Sequence, residues 1–87
     1  MVEYKTMSKQ ITVEYYAYLR EQRGESTEVV ATDFLTIKEL YEDLKEQYHF
    51  SYSADELKVA INDEFQSWDA LLSDRDKVVF IPPVAGG

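Results

Sequence analysis

The sequence closes on Ile81-Pro82-Pro83-Val84-Ala85-Gly86-Gly87, and the group there with the most chemistry in reach is the carboxylate of Gly87. A carboxylate is a poor electrophile until activated, and activation requires its carbon to enter an enclosed site that holds the reacting groups together. Gly86 and Gly87 have no Cβ, so this tip passes a narrow channel and takes backbone angles closed to other residues. Pro82 and Pro83 favour extended polyproline geometry and hold the tip away from the folded body at low entropic cost. Val84 to Gly87 then reach about 13–14 Å, at roughly 3.3–3.6 Å per extended residue. The tip reads as a substrate for another protein's active site.

Other chemical candidates are weaker. His49 is the one histidine and there is no cysteine, so it reads as a loop residue rather than a metal ligand. Asp63 and Glu64 lie in Asn62-Asp63-Glu64 and read as turn residues, without the cleft-forming partner that an acid/base pair needs. Glu39, Glu42, Asp43 and Glu46 read as the solvated face of a helix. The absence of cysteine removes disulfides, a thiolate nucleophile and cysteine metal sites, so any sulfur chemistry must use another atom. With 17 acidic against 9 basic residues, the net charge of −8 repels nucleic acid and anionic membranes and favours a protein with a basic docking surface. The opening MVEYKTMSKQ has no apolar core or cleavage site, and no apolar run nears the length of a membrane span, so a cytoplasmic location is expected.

At 87 residues the chain is read as one domain: a polar extension over 1–9, a folded body over 10–81 and an extended tail over 82–87. Ile11, Val13, Tyr15, Ala17 and Leu19 alternate with polar or aromatic residues, which predicts a strand from Ile11 to Leu19 with that set facing a core. Gly24 supplies a turn, and residues 27–34 return as an antiparallel strand. Ile37, Leu40, Tyr41, Leu44 and Tyr48 then form the apolar stripe of an amphipathic helix. Thr36 and Glu39 predict a capping box, with Leu35 and Leu40 as its hydrophobic staple. Residues 57–62 alternate as a third strand, and Asp74-Arg75-Asp76 is a turn. The span 65–76 is read as irregular, with Phe65, Trp68, Leu71 and Leu72 covering the edge of the core. Residues 77–81 form a last strand, halted by Pro82.

The order ββαββ predicts an α+β fold: one sheet with one main helix packed on one face. A right-handed crossover sets the first strand beside the last, so the tail leaves from the middle of the sheet. Val78 and Phe80 are expected in the core. Tyr16, Tyr18, Val79 and Ile81 are expected on the open face, an exposed apolar patch of the kind that marks a protein interface.

These residues, with AINDEF, LLSDRDKVVFIPPV and the closing Gly-Gly, resemble the small sulfur-carrying subunit family of molybdopterin synthase, which has the ubiquitin-like β-grasp fold. The resemblance spans Ile11 to Gly87, and PPVAGG is its most specific part. It implies that an adenylyltransferase resembling ubiquitin-activating enzymes uses ATP to join AMP to the Gly87 carboxylate, and that a persulfide donor displaces AMP to leave a thiocarboxylate, 1-thioglycine at Gly87. That sulfur attacks a cyclic pyranopterin precursor in the large subunit, which supplies the catalytic side chains in a heterotetramer. No cofactor is permanently bound. The resemblance assigns partner binding to the open face and tail: Tyr16, Tyr18, Val79, Ile81, Pro82, Pro83, Val84 and Ala85, leading to Gly86 and Gly87. Two residues depart from the family pattern. Arg75 replaces a glycine frequent in an Asp-Gly-Asp turn, and Ala85 replaces Thr or Ser. Three other readings share the fold: a sulfur carrier for thiamine synthesis, a ubiquitin-like modifier joined through Gly87 to lysines, and an interaction module with an inert terminus.

Overall fold

The computed structural model describes residues 8–83. Alternation of Ile11, Val13 and Tyr15, all fully buried, makes β1, Lys9–Tyr15. This strand takes in Lys9, the last residue of the expected extension. Helix α1, Ala17–Arg23, follows and ends on Gly24, whose left-handed φ of 85° lets its N–H donate to the Arg20 carbonyl. Then come β2 (Thr27–Thr32), α2 (Ile37–Tyr48), a single 3-10 turn (Ala54–Glu56), β3 (Lys58–Ile61), β4 (Glu64–Gln66) and β5 (Lys77–Ile81). The sheet order is β2-β1-β5-β3-β4. β1 and β5 run parallel, Thr12 beside Lys77 through Tyr15 beside Phe80, and every other pairing is antiparallel. The mixed sheet with α2 on one face is the predicted α+β architecture, and β5 is its central strand. Among the described residues no helix is long and apolar enough to cross a membrane.

Four expectations are corrected. The strand predicted through Leu19 stops at Tyr15, because Ala17 takes a φ of 54° that turns the chain out of the sheet. Tyr15 and Leu19 are both fully buried, and their four-residue separation fits a helical turn as well as strand alternation. The returning strand ends at Thr32 rather than residue 34, where the Phe34 N–H donates to Thr32 Oγ1. A third departure lies within the span read as irregular. Asn62 and Asp63, with φ of 52° and 74°, form a hairpin turn of type I′ character that folds Glu64–Gln66 back on β3. Phe65 and Leu71 remain exposed instead of covering the core, whereas Trp68 and Leu72 do pack against it.

The α2 capping box forms as predicted: Glu39 N–H donates to Thr36 Oγ1, and Glu39 Oε1 accepts from the Thr36 and Leu35 N–H groups. The fourth correction concerns its staple, since Leu35 stays 64% exposed. The entry to α2 is held instead by the Leu72 N–H donating to the Leu35 carbonyl and by a bridge between Thr36 and Leu71. The core between α2 and the sheet is aromatic. The Tyr41 ring lies 5.0 Å from Phe80 and Trp68 stacks 5.9 Å from Phe80, in the distance range where ring pairs attract beyond simple burial. Tyr41 keeps its hydroxyl satisfied by donating to the Tyr52 carbonyl at 2.8 Å.

Candidate functional site

The site is built where β5 ends. Pairing with β1 and β3 on either side makes β5 the most enclosed strand, and alternation sends Val78 and Phe80 to the core and Val79 and Ile81 to the open face, as expected. Across β3 the residue level with Val79 is Ala60, and across β4 the residue level with Ala60 is Phe65. Alanine is too small to fill its place, so a hollow of about 210 Å³ remains, lined by Tyr16, Ala60, Asp63, Phe65, Val79 and Ile81. Val79 forms its floor at 7% exposure, and Phe65 stands at its rim at 70% exposure.

Tyr16 and Tyr18 separate in the structure. Tyr16 is the residue between β1 and α1, 48% exposed, and it lines the hollow while its hydroxyl donates to Glu14 Oε1 at 3.3 Å. Tyr18 lies on α1 rather than on a strand of the open face, set edge-on to Tyr52 with ring centroids 6.3 Å apart, and it is absent from the hollow. Its expected place in the patch is thus corrected, for the same reason that β1 ends early. Phe65 and Ala60, which the sequence reading did not place there, line the hollow. The signal that locates them is the Asn62-Asp63 turn, which sets the register of Phe65 opposite Ala60 once both residues are read as left-handed.

A polar network fixes the far end of the hollow. The Asn62 N–H donates to the Lys77 carbonyl, and the Lys77 N–H donates to Asn62 Oδ1. Asp76, buried, accepts from Asn62 Nδ2 at 3.0 Å and from the Ser73 N–H at 2.8 Å. The hairpin turn is thereby tied to the start of β5. Lys77 Nζ lies 3.2 Å from Asp63 Oδ1, and this contact raises the pKa of the lysine. Asp63 is thus a turn residue paired with a lysine. His49 caps α2 with a φ of 60° and donates its N–H to the Lys45 carbonyl.

Opposite this network the chain leaves the sheet. Pro82 is buried and Pro83 exposed, beside a groove of about 250 Å³ whose other walls include Asp55, Leu57 and Ile81. Val84, Ala85, Gly86 and Gly87 lie outside the described residues. The root of the tail is a buried proline at the end of the central strand, next to the hollow.

The sequence model of the ThiS family matches residues 13–87. The chain belongs to the ThiS family. The match begins within β1 and takes in every later element and the tail. The molybdopterin synthase sulfur carrier subunit of Escherichia coli strain K12 is 35% identical over 80 residues, which are 88% of this chain and 99% of that protein. Among solved structures, a putative molybdopterin converting factor subunit 1 from Pyrococcus furiosus superposes with a TM-score of 0.73 at 28% identity, covering 88% of this chain and all of the other. A chain in the complex of subunits 1 and 2 of the Helicobacter pylori molybdopterin-converting factor superposes at 0.63 with 23% identity, over 90% of this chain and 99% of that one. At that identity the last likeness speaks for the fold alone. The ThiS-family chain thus has the β-grasp architecture that its sequence predicted.

Proposed function

We propose that this ThiS-family chain is the sulfur carrier subunit of a molybdopterin synthase, acting through the carboxylate of Gly87. The observation that carries the reading is the whole-length similarity to the E. coli sulfur carrier subunit, 35% identical across 99% of that protein. The geometry supports it: the central strand leads straight into Pro82 and Pro83 beside an apolar hollow, an arrangement suited to holding the domain while its tip enters a partner.

In the proposed chemistry a Gly87 carboxylate oxygen attacks the α-phosphorus of ATP on an activating partner, and pyrophosphate leaves. The terminal sulfur of a partner's persulfide then attacks the acyl carbon and AMP departs, giving an acyl disulfide. A thiol cleaves that disulfide, its sulfur ending in a new disulfide and Gly87 ending as a thiocarboxylate. The thiocarboxylate sulfur is delivered to a pyranopterin precursor held by the large subunit, and hydrolysis restores the carboxylate. The chain contributes the acyl group and its placement, while the large subunit contributes the catalytic side chains. Tyr16, Phe65, Val79 and Ile81 bury against the partners, with Pro82, Pro83, Val84 and Ala85 spanning the channel to Gly86 and Gly87.

The test is intact mass after incubation with ATP, the activating enzyme and a persulfide donor. The expected result is a gain equal to the replacement of one oxygen by sulfur, absent when Gly87 is deleted. Conjugates on lysines of other proteins, with no thiocarboxylate, would overturn the carrier reading in favour of a modifier. Transfer to a thiazole precursor in place of a pyranopterin would redirect it to thiamine synthesis.

A further inference from the structure

The end of the molecule away from the tail carries a second exposed apolar group. Phe34 and Leu35 follow β2, and Leu71 is joined to them by its bridge to Thr36 and the neighbouring Leu72-to-Leu35 hydrogen bond. Leu35 is 64% and Leu71 69% exposed, so two large aliphatic side chains face water within one short pairing. Beside them Phe34 and Thr36 help to line a groove of about 480 Å³. Its other walls are Glu39, Glu42, Asp43, Glu46 and Asp69, against Lys38 as the one cation among the described residues of the lining. Lys9 lies near enough to Glu39 to help lower its pKa, after the backbone hydrogen bonds of the capping box, which hold that carboxylate in place.

The position of this group follows from the strand registers. Lys9 pairs with Thr32, just before Phe34, whereas Tyr15 at the other end of β1 pairs with Phe80, just before the tail. Six residue steps at about 3.3 Å put roughly 20 Å between the two ends. A partner seated on one does not exclude a partner on the other.

We propose that Phe34, Leu35 and Leu71, with the acidic groove beside them, form a second docking surface, and that its occupant is a basic amphipathic segment of another protein, with apolar anchors flanked by Lys or Arg. Charge chooses among the candidates. A second copy of this chain, itself at −8, would bring acidic groove to acidic groove. Nucleic acid and anionic lipid are repelled for the same reason. A basic segment meets complementary potential at the groove and buries the exposed leucines, which charge alone leaves in water. The inference is independent of the sulfur chemistry proposed above and concerns only what holds the carrier from behind.

The experiment is a titration of the isotope-labelled full chain, followed by NMR, with a helical peptide of about five turns carrying leucine on one stripe and lysine on the rest. A peptide of equal charge with serine for leucine is the control. The expected result is shifts centred on residues 34–46 and 69–72, with the leucine peptide binding at least about tenfold more tightly than the serine one. Leu71→Ser should lower that affinity about tenfold, Asp69→Lys should do likewise at low salt, and Phe65→Ser should leave it unchanged. Equal affinity for both peptides would reduce the surface to bare charge and overturn the proposal. Shifts centred on the hollow at Phe65 would overturn it too, as would concentration-dependent self-association of the free chain through the Leu71 region.

Discussion

Val78 and Phe80 on one side of β5 and Val79 and Ile81 on the other are consecutive residues of similar chemistry with different work. The first pair is fully buried, Phe80 against Tyr41 and Trp68, while the second lines a hollow whose rim residue, Phe65, is 70% exposed. On the covered face Val78 and Phe80 join the buried core cluster, and the apolar area removed from water stabilises the fold. On the open face Ala60 stands where a large residue would complete the packing, so apolar surface is left facing the hollow. The same alternation therefore divides one strand between a packed face and the open face that we propose for docking.

Substitutions on the two faces should separate those effects. Phe80→Ala is expected to cost about 3–5 kcal/mol, read from the urea midpoint, because it opens a cavity in the middle of the aromatic cluster. Phe65→Ala should leave stability within about 0.5 kcal/mol but weaken binding of an open-face partner by about 2 kcal/mol, roughly thirtyfold, by calorimetry. A comparable loss of stability in both variants would erase the contrast.

Ion pairs on the two faces offer a finer comparison. Arg23 grips Glu28 through two bonds, at 2.8 and 3.0 Å, and lies over the Tyr48 ring at 4.2 Å, while Tyr15 donates to the same carboxylate at 2.6 Å. The Arg23 hydrogen bond lowers the Glu28 pKa, and burial together with Glu28 raises that of Tyr15. Glu28→Gln should cost about 1–2 kcal/mol near neutral pH. A carboxylate whose pKa is lower in the folded state contributes stability above its unfolded pKa and loses it as pH falls through the folded value. Acid unfolding of the parent below about pH 4 should therefore lose a component that Glu28→Gln lacks. The exposed Lys77–Asp63 pair should behave differently, with Asp63→Asn changing stability by less than about 0.5 kcal/mol.

A gain in stability is expected at a turn. Arg75 takes a φ of 73° and donates its N–H to the Gln10 carbonyl, while its side chain, 87% exposed, has only a 3.8 Å contact with Asp74. Left-handed geometry costs a residue with a Cβ about 1–2 kcal/mol, partly offset for glycine by its greater entropy when unfolded. Arg75→Gly should therefore raise stability by about 0.5–1 kcal/mol, measured as a higher urea midpoint. The departure from the family's Asp-Gly-Asp turn is thus tolerated at the cost of strain.

Sequence by itself determined α2 with its capping box, the buried alternation of β1, the placing of β1 beside β5 and the assignment of Val79 and Ile81 to the open face. Each depends on local periodicity, a short-range hydrogen bond or a general rule of chain crossover, all present in the order of residues. Tertiary structure decided what followed Tyr15, because Tyr15 and Leu19 are spaced for either a strand or a helix and only the turn at Ala17 chooses. It also decided the composition of the hollow. A three-residue strand such as β4 is too short to display a period, and Phe65 meets Ala60 only through a left-handed turn anchored to Asp76 and Lys77, residues distant in sequence. Which apolar groups stay exposed at Leu35, Phe65 and Leu71 depends on what packs over them, and no local pattern carries that information.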